Sequence, residues 1–174
     1  MLARIPEVTL LEEVGRGQGS VVFRALHRGV ACTVKLPSDR SASPARSSSF
    51  EQDMLQLARL TRAGLPRVLQ LGATLDTPYA IFDQVDGEPL TALLQRPLED
   101  AAAIALARAL TACLQRLHEA GFVHGALKAE QVLVAPDGSH VTLLDTGTMS
   151  RRVPLDIRTD TCALGLVLHD CARQ

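Results

Sequence analysis

Residues 124–134 read HGALKAEQVLV. They follow LQRLHEAGF (114–122), whose apolar spacing predicts the end of an amphipathic helix stopped at Gly121. They precede VTLLDTG (141–147), a β-rich run. A loop between helix and hairpin that carries His124, Lys128 and Gln131 is either a plain connection or a site, and its own residues leave both readings open. The chain on either side decides.

Just upstream lies the clearest helix, 99–120, with Ile104, Leu106, Leu110, Cys113, Leu114 and Leu117 on one apolar face. Downstream, VLVAPDGSHVTLLD (132–145) predicts a hairpin turning at Pro136-Asp137-Gly138, and 160–172 predicts an apolar helix. Further towards the N-terminus, RVLQLGATLD (67–76) and PYAIFDQVDG (78–87) are two strands joined by turn chemistry at Asp76-Thr77-Pro78. Apolar residues at 50, 54, 57, 58 and 60 predict a helix from Phe50 to Ala63, stopped by Gly64-Leu65-Pro66. The segment SDRSASPARSSS (38–49) has no periodicity and reads as an exposed polar loop rather than a phosphorylation target. Residues 8–36 predict three antiparallel strands, the second and third joined by a hairpin turning at Gly29. Strands first and helices later, with no βαβ repeat, predict an α+β chain of two unequal lobes.

Composition narrows the function. A chain of 174 residues is one domain, and 47% apolar with 21% charged residues is ordinary for a globular protein. A net charge of −1 argues against nucleic acid or an anionic membrane as partner, and one Tyr with no Trp gives no base-stacking platform. Cys32, Cys113, Cys162 and Cys171 form no C-x-x-C pair, so the expectation is buried reduced thiols, with neither zinc nor disulfides. The N-terminal MLARIPEVTLLEEVG does not read as a signal peptide, and no run of 18 apolar residues occurs. A cytoplasmic protein is expected.

Two further stretches carry chemistry. In VGRGQGSVV (14–22), glycines at 15, 17 and 19 lie between two β-runs, where backbone amides can approach a polyphosphate closely. A Rossmann turn would need a helix next, and a Walker A loop would need Gly-Lys-Ser/Thr; neither follows. In CTVK (32–35), Lys35 ends an apolar strand twenty residues after Gly15, about one hairpin away, which is close enough to bring its ammonium under the loop.

The glycine loop, strand lysine, helix, two strands, long helix, HGALKAEQVLV and LLDTG, in that order, resemble the protein kinase family over nearly the whole chain. The tail DIRTDTCALGLVL resembles the start of the central C-lobe helix of bacterial Ser/Thr kinases. The resemblance implies a kinase-like fold, with a β-rich N-lobe and hinge over about 8–85 and an incomplete, mainly helical C-lobe over 86–174. It implies ATP and Mg²⁺ as cofactors. Gly15 and Gly17 would match the loop glycines, Ser20 replaces the third, and Val22 would roof the adenine. Lys35 would hold the phosphates and Asp53 would pair with it. Phe82 resembles the gatekeeper, Asp83-Gln84-Val85 the hinge, and Leu133 a nucleotide-binding residue. His124 and Lys128 match the catalytic loop, and Asp145 matches the Mg²⁺-binding aspartate ahead of Gly147.

The departures bear on activity. Ala126 stands where the catalytic aspartate belongs, and a methyl group cannot take or orient a proton, a role worth roughly 10²–10⁴-fold in rate. Gln131 replaces the metal-binding asparagine and moves its carboxamide outward by roughly 1.5 Å. Asp53 is one methylene short of the family's glutamate, Thr146 replaces an apolar packing residue, and Thr33 replaces a small alanine at the adenine. Asp160 follows Asp145 by only fifteen positions, too few for the family's activation segment and its A-P-E anchor. The expectation is a pseudokinase in intracellular signalling that holds ATP and Mg²⁺ weakly and transfers phosphate poorly or not at all. The alternatives are an interaction module without nucleotide and an active kinase using a substitute base. The helix 160–172 is expected to present Leu164, Leu166 and Leu168 outward, to a protein partner or to a further C-terminal region. His118, His124 and His140 are too dispersed for a metal site, and a Ser20 or Ser150 nucleophile would need a histidine base that sequence cannot supply.

Overall fold

The computed structural model describes residues 4–16, 19–38, 44–60, 64–74, 77–144 and 156–172. The chain is α+β and divides into two compact units: residues 1–61 with 67–84, and residues 62–66 with 85–174. Gly17, Asp145, Thr146, Gly147 and Ser150 lie outside the described residues.

The first unit is an antiparallel five-stranded sheet in the order β1-β2-β3-β5-β4, with β1 Val8–Arg16, β2 Ser20–His27, β3 Val30–Pro37, β4 Val68–Thr74 and β5 Thr77–Asp83. The β2–β3 hairpin turns on Arg28 and Gly29, both at positive φ, the combination that matches the twist of the flanking strands. Alternation along the strands sends Val21, Phe23, Cys32, Val34, Leu36, Tyr79 and Ile81 to one buried face. Ala80 and Phe82 face the other way, against Phe50 and Met54 of α1 (Pro44–Arg59). Helix α1 therefore starts six residues before Phe50, so the expected loop 38–49 is helical from Pro44 onward. A proline is suited to the first turn, where its missing N–H costs no hydrogen bond.

The second unit contains β6 (Glu88–Pro89), α2 (Leu90–Leu93), α3 (Asp100–Glu119), β7 (Val132–Val134), β8 (Val141–Leu143) and α4 (Ile157–Ala172). Strands β6, β7 and β8 form a small antiparallel sheet in that order. Leu106, Leu110, Cys113, Leu114, Val132, Val141, Leu143, Val167 and Cys171 share one core. Ile104, expected on the apolar face of α3, is 54% exposed. It lies within the first turns of α3, ahead of Leu106, the first residue of the helix that reaches the core. Cys162 is exposed too, unlike the other three cysteines.

The α1–β4 connection is anchored inside this second unit. The Gly64 carbonyl accepts the Leu143 N–H at 2.8 Å and the Cys113 thiol at 3.6 Å. Gly64 has φ +75°, and a Cβ there would overlap Cys113 Sγ, so the site requires glycine on both counts.

Candidate nucleotide and catalytic-loop site

Strand register aligns the candidate residues of the first unit. Residues paired across an antiparallel sheet share a face. Gly15 opposes Val22, Val22 opposes Lys35, Lys35 opposes Ala80 and Ala80 opposes Leu71. Gly15, Val22 and Lys35 thus lie in one cross-strand row, on the face that also carries α1. Thr33 and Phe82 oppose each other in the neighbouring row. Gly15 follows a register shift in β1, and open space surrounds the position its Cβ would take. Ser20 opens β2 opposite Pro37.

Lys35 is only 9% exposed, an unusual state for an ammonium unless its charge is compensated. Asp53 lies one turn after Phe50 and one turn before Leu57, and is half-buried on the flank of the helix face that meets the sheet. Neither Lys35 nor Asp53 is without a partner. At the end of β5 the Asp83 carboxylate accepts the Arg67 N–H at 2.6 Å, while the Asp83 N–H donates to the Arg67 carbonyl at 3.0 Å. The Asp83 side chain is thereby committed to the strand pair. Val85 is half-buried at the start of the second unit.

In the second unit, the candidate loop grows from the end of α3. Gly121 donates to His118 O at 2.9 Å and Phe122 to Leu117 O at 3.1 Å, a paired cap that turns the chain into residues 122–128. The loop is then held by a residue the sequence reading left without a role. Asp160 of α4 is fully buried; its Oδ2 accepts the His124 N–H and its Oδ1 the Gly125 N–H, both at 2.8 Å. His118 Nε2 completes the set at 2.8 Å from Oδ2, which places the ring proton on that nitrogen. A buried carboxylate is stable only with its charge met by such donors. Gly125 has φ +75°, a conformation that costs a residue with a Cβ far more.

The signal for Asp160 was present in the sequence. Asp160 shares a helix face with Ala163, Leu164, Val167, Leu168 and Cys171, all of which pack into or against the core. An acid on an apolar face implies a buried partner. His118, set aside as too remote for a metal site, is that partner's side chain, and His124 contributes its backbone.

After Ala126, which is half-buried, Leu127 enters the core and Lys128 is exposed. A turn of 3₁₀ helix over Ala129–Gln131 follows, with Gln131 N–H on Lys128 O at 3.0 Å. The Gln131 carbonyl accepts the Leu144 N–H at 2.7 Å, which ties this turn to the residue before Asp145. Leu133 is half-buried in β7, opposite Pro89 and Thr142.

No alternative chemistry emerges among the described residues. Burial raises the thiols of Cys32, Cys113 and Cys171 above their ordinary range, which suppresses the nucleophilic thiolate. Among the described residues, no group of three or more His, Cys, Asp or Glu could hold a metal ion. His140 lies in the β7–β8 turn with Ser139 Oγ at 2.9 Å from Nδ1. Among the described residues, no helix is long and apolar enough to cross a membrane. On α4, Leu166 is 72% exposed, whereas Leu164 and Leu168 pack against the core. The outward face is therefore narrower than the three leucines expected.

Comparison with known proteins agrees with this geometry. The chain is 27% identical over 165 residues to the serine/threonine-protein kinase pkn2 of Myxococcus xanthus, covering 93% of this chain and 18% of pkn2. It is 28% identical over 163 residues to PknL of Mycobacterium tuberculosis, covering 90% of this chain and 40% of PknL. It is 31% identical over 146 residues to PknA of the same species, covering 79% of this chain and 33% of PknA. The chain thus spans less than half the length of these curated relatives. The protein kinase domain model matches residues 8–163, and the chain belongs to that family.

Proposed function

We propose that this domain is a pseudokinase: it holds ATP with Mg²⁺ weakly and transfers phosphate poorly or not at all, in intracellular signalling. The observation that carries the reading is the state of the loop at 124–131. Asp160 and His118 support it, yet Ala126 offers no group that could take a proton from a substrate hydroxyl. The row of Gly15, Val22 and buried Lys35 supports the nucleotide-holding half, with Lys35 and Asp53 read as an ion pair facing the phosphates. When bound, Mg²⁺ would supply charge neutralisation at the phosphates, and Asp145 is the residue that would hold it.

The test is phosphoryl transfer from radiolabelled ATP to peptide substrates, for the wild type and for Ala126→Asp with Gln131→Asn. Neither is expected to label peptide at ordinary kinase rates, because the short interval between Asp145 and Asp160 leaves no platform to hold a peptide in line. Such positioning can be worth ~7–11 kcal/mol. Robust labelling by the wild type would make this an active kinase.

A second reading, a nucleotide-free interaction module, is favoured by Leu166, which stands exposed on α4. It predicts a partner protein on that face and no heat with ATP.

A further inference from the structure

Resemblance to the family makes Gln131 a degenerate magnesium ligand, displaced outward by one methylene. The structure gives it a different character. Gln131 is half-buried as a residue, but its carboxamide oxygen is covered by protein and has no hydrogen-bond partner among the described residues. The backbone fixes the turn that carries it at both ends, through Lys128 O and the Leu144 N–H. Mg²⁺ needs an oxygen open to it at about 2.0–2.1 Å and room for a near-octahedral shell of other ligands. An oxygen with almost no accessible surface offers neither. Gln131 therefore does not fit the metal.

We propose that Gln131 is closed to metal in this protein, and that the nucleotide is held with a single divalent cation instead of the family's two. This rests on the nucleotide-binding reading above, but the closure of Gln131 stands on its own observation. A covered, unpartnered carbonyl oxygen destabilises the fold, and an apolar side chain of similar size removes that penalty.

Two measurements on the full chain separate the parts. In the first, thermal unfolding without ligand, Gln131→Leu is expected to melt about 2–4 °C higher than wild type. A lower melting temperature would overturn the proposal, because it would mean that the amide is in use. In the second, free Mn²⁺ is counted by electron paramagnetic resonance in the presence of an ATP analogue. Wild type and Gln131→Leu are each expected to take up one Mn²⁺ per nucleotide, and Gln131→Asn two. Loss of a bound Mn²⁺ in Gln131→Leu would overturn the proposal. If no nucleotide is held by any variant, the pseudokinase reading and the single-cation statement both fall, and the melting comparison alone decides whether Gln131 is closed.

Discussion

In the first unit the residues that resemble nucleotide contacts sit on strands, and the ladder that forms the sheet also aligns Gly15, Val22 and Lys35. In the second unit the corresponding residues sit on a loop, which has no ladder of its own and is shaped by a buried carboxylate from a helix 36 residues later. The strands keep the lysine that the resemblance calls for, while the loop keeps its scaffold without the matching carboxylate. Removing the catalytic aspartate leaves that scaffold in place, because the side chain at 126 takes no part in holding it: Asp160 binds the two residues before it, and Ala126 contributes only its backbone N–H, to His124 Nδ1. Architecture and chemistry are separable in the loop, whereas Lys35, the residue that resembles the family's phosphate-facing lysine, is itself buried.

The comparison breaks most severely at Asp160. Asp160→Ala leaves two backbone N–H groups and His118 unmet, with an expected cost of about 3–5 kcal/mol. Hydrogen exchange should show lost protection at amides 124 and 125, with the β1–β5 amides much less affected. Asp160→Asn should be milder but still destabilising, since its NH₂ must face an N–H whichever way it turns. Unchanged protection at 124 and 125 would mean that the loop is held by something else.

A smaller effect is expected where the α1–β4 connection anchors. Gly64→Ala forces a side chain into positive φ and against Cys113, at a cost of about 1–3 kcal/mol. Urea unfolding of Gly64→Ala, Cys113→Ala and the double variant would separate the two causes. The overlap should be relieved in the double variant, while the backbone strain should persist.

Much of this architecture was legible in the sequence, for identifiable reasons. The five strands and the cores of α1, α3 and α4 follow from periodicity, and the two hairpin turns follow from Gly29 and Gly138. The start of α1 was missed because the five polar or small residues between Pro44 and Phe50 carry no apolar period. Ile104 was misplaced because the helical repeat continues past the point where the core ends. At the site, the lysine, glycines and loop were readable as types at a spacing. Asp160 was marked by its place on an apolar helix face, but its partners were not, because they are two backbone amides and a histidine 42 residues upstream, and a linear reading does not bring these together.

The smallest expected effect lies in the β7–β8 turn. Hydrogen bonds from the Ser139 hydroxyl, and then its backbone N–H, hold the Asp137 carboxyl below its ordinary value of 3.8. A depressed carboxyl stabilises the fold above that ordinary value, and the contribution is lost as pH falls through the folded value. Ser139→Ala should therefore lower the melting temperature slightly near neutral pH, with the difference vanishing in acid. A difference that persists at low pH would point to packing instead.

The account stands most directly on calorimetric titration of the folded chain with ATP, with and without Mg²⁺, for wild type and Lys35→Ala. It predicts weak, Mg²⁺-dependent heat in the wild type and none in Lys35→Ala, with both proteins equally folded by circular dichroism. No heat from folded wild type at millimolar ATP, or undiminished binding by Lys35→Ala, would contradict it.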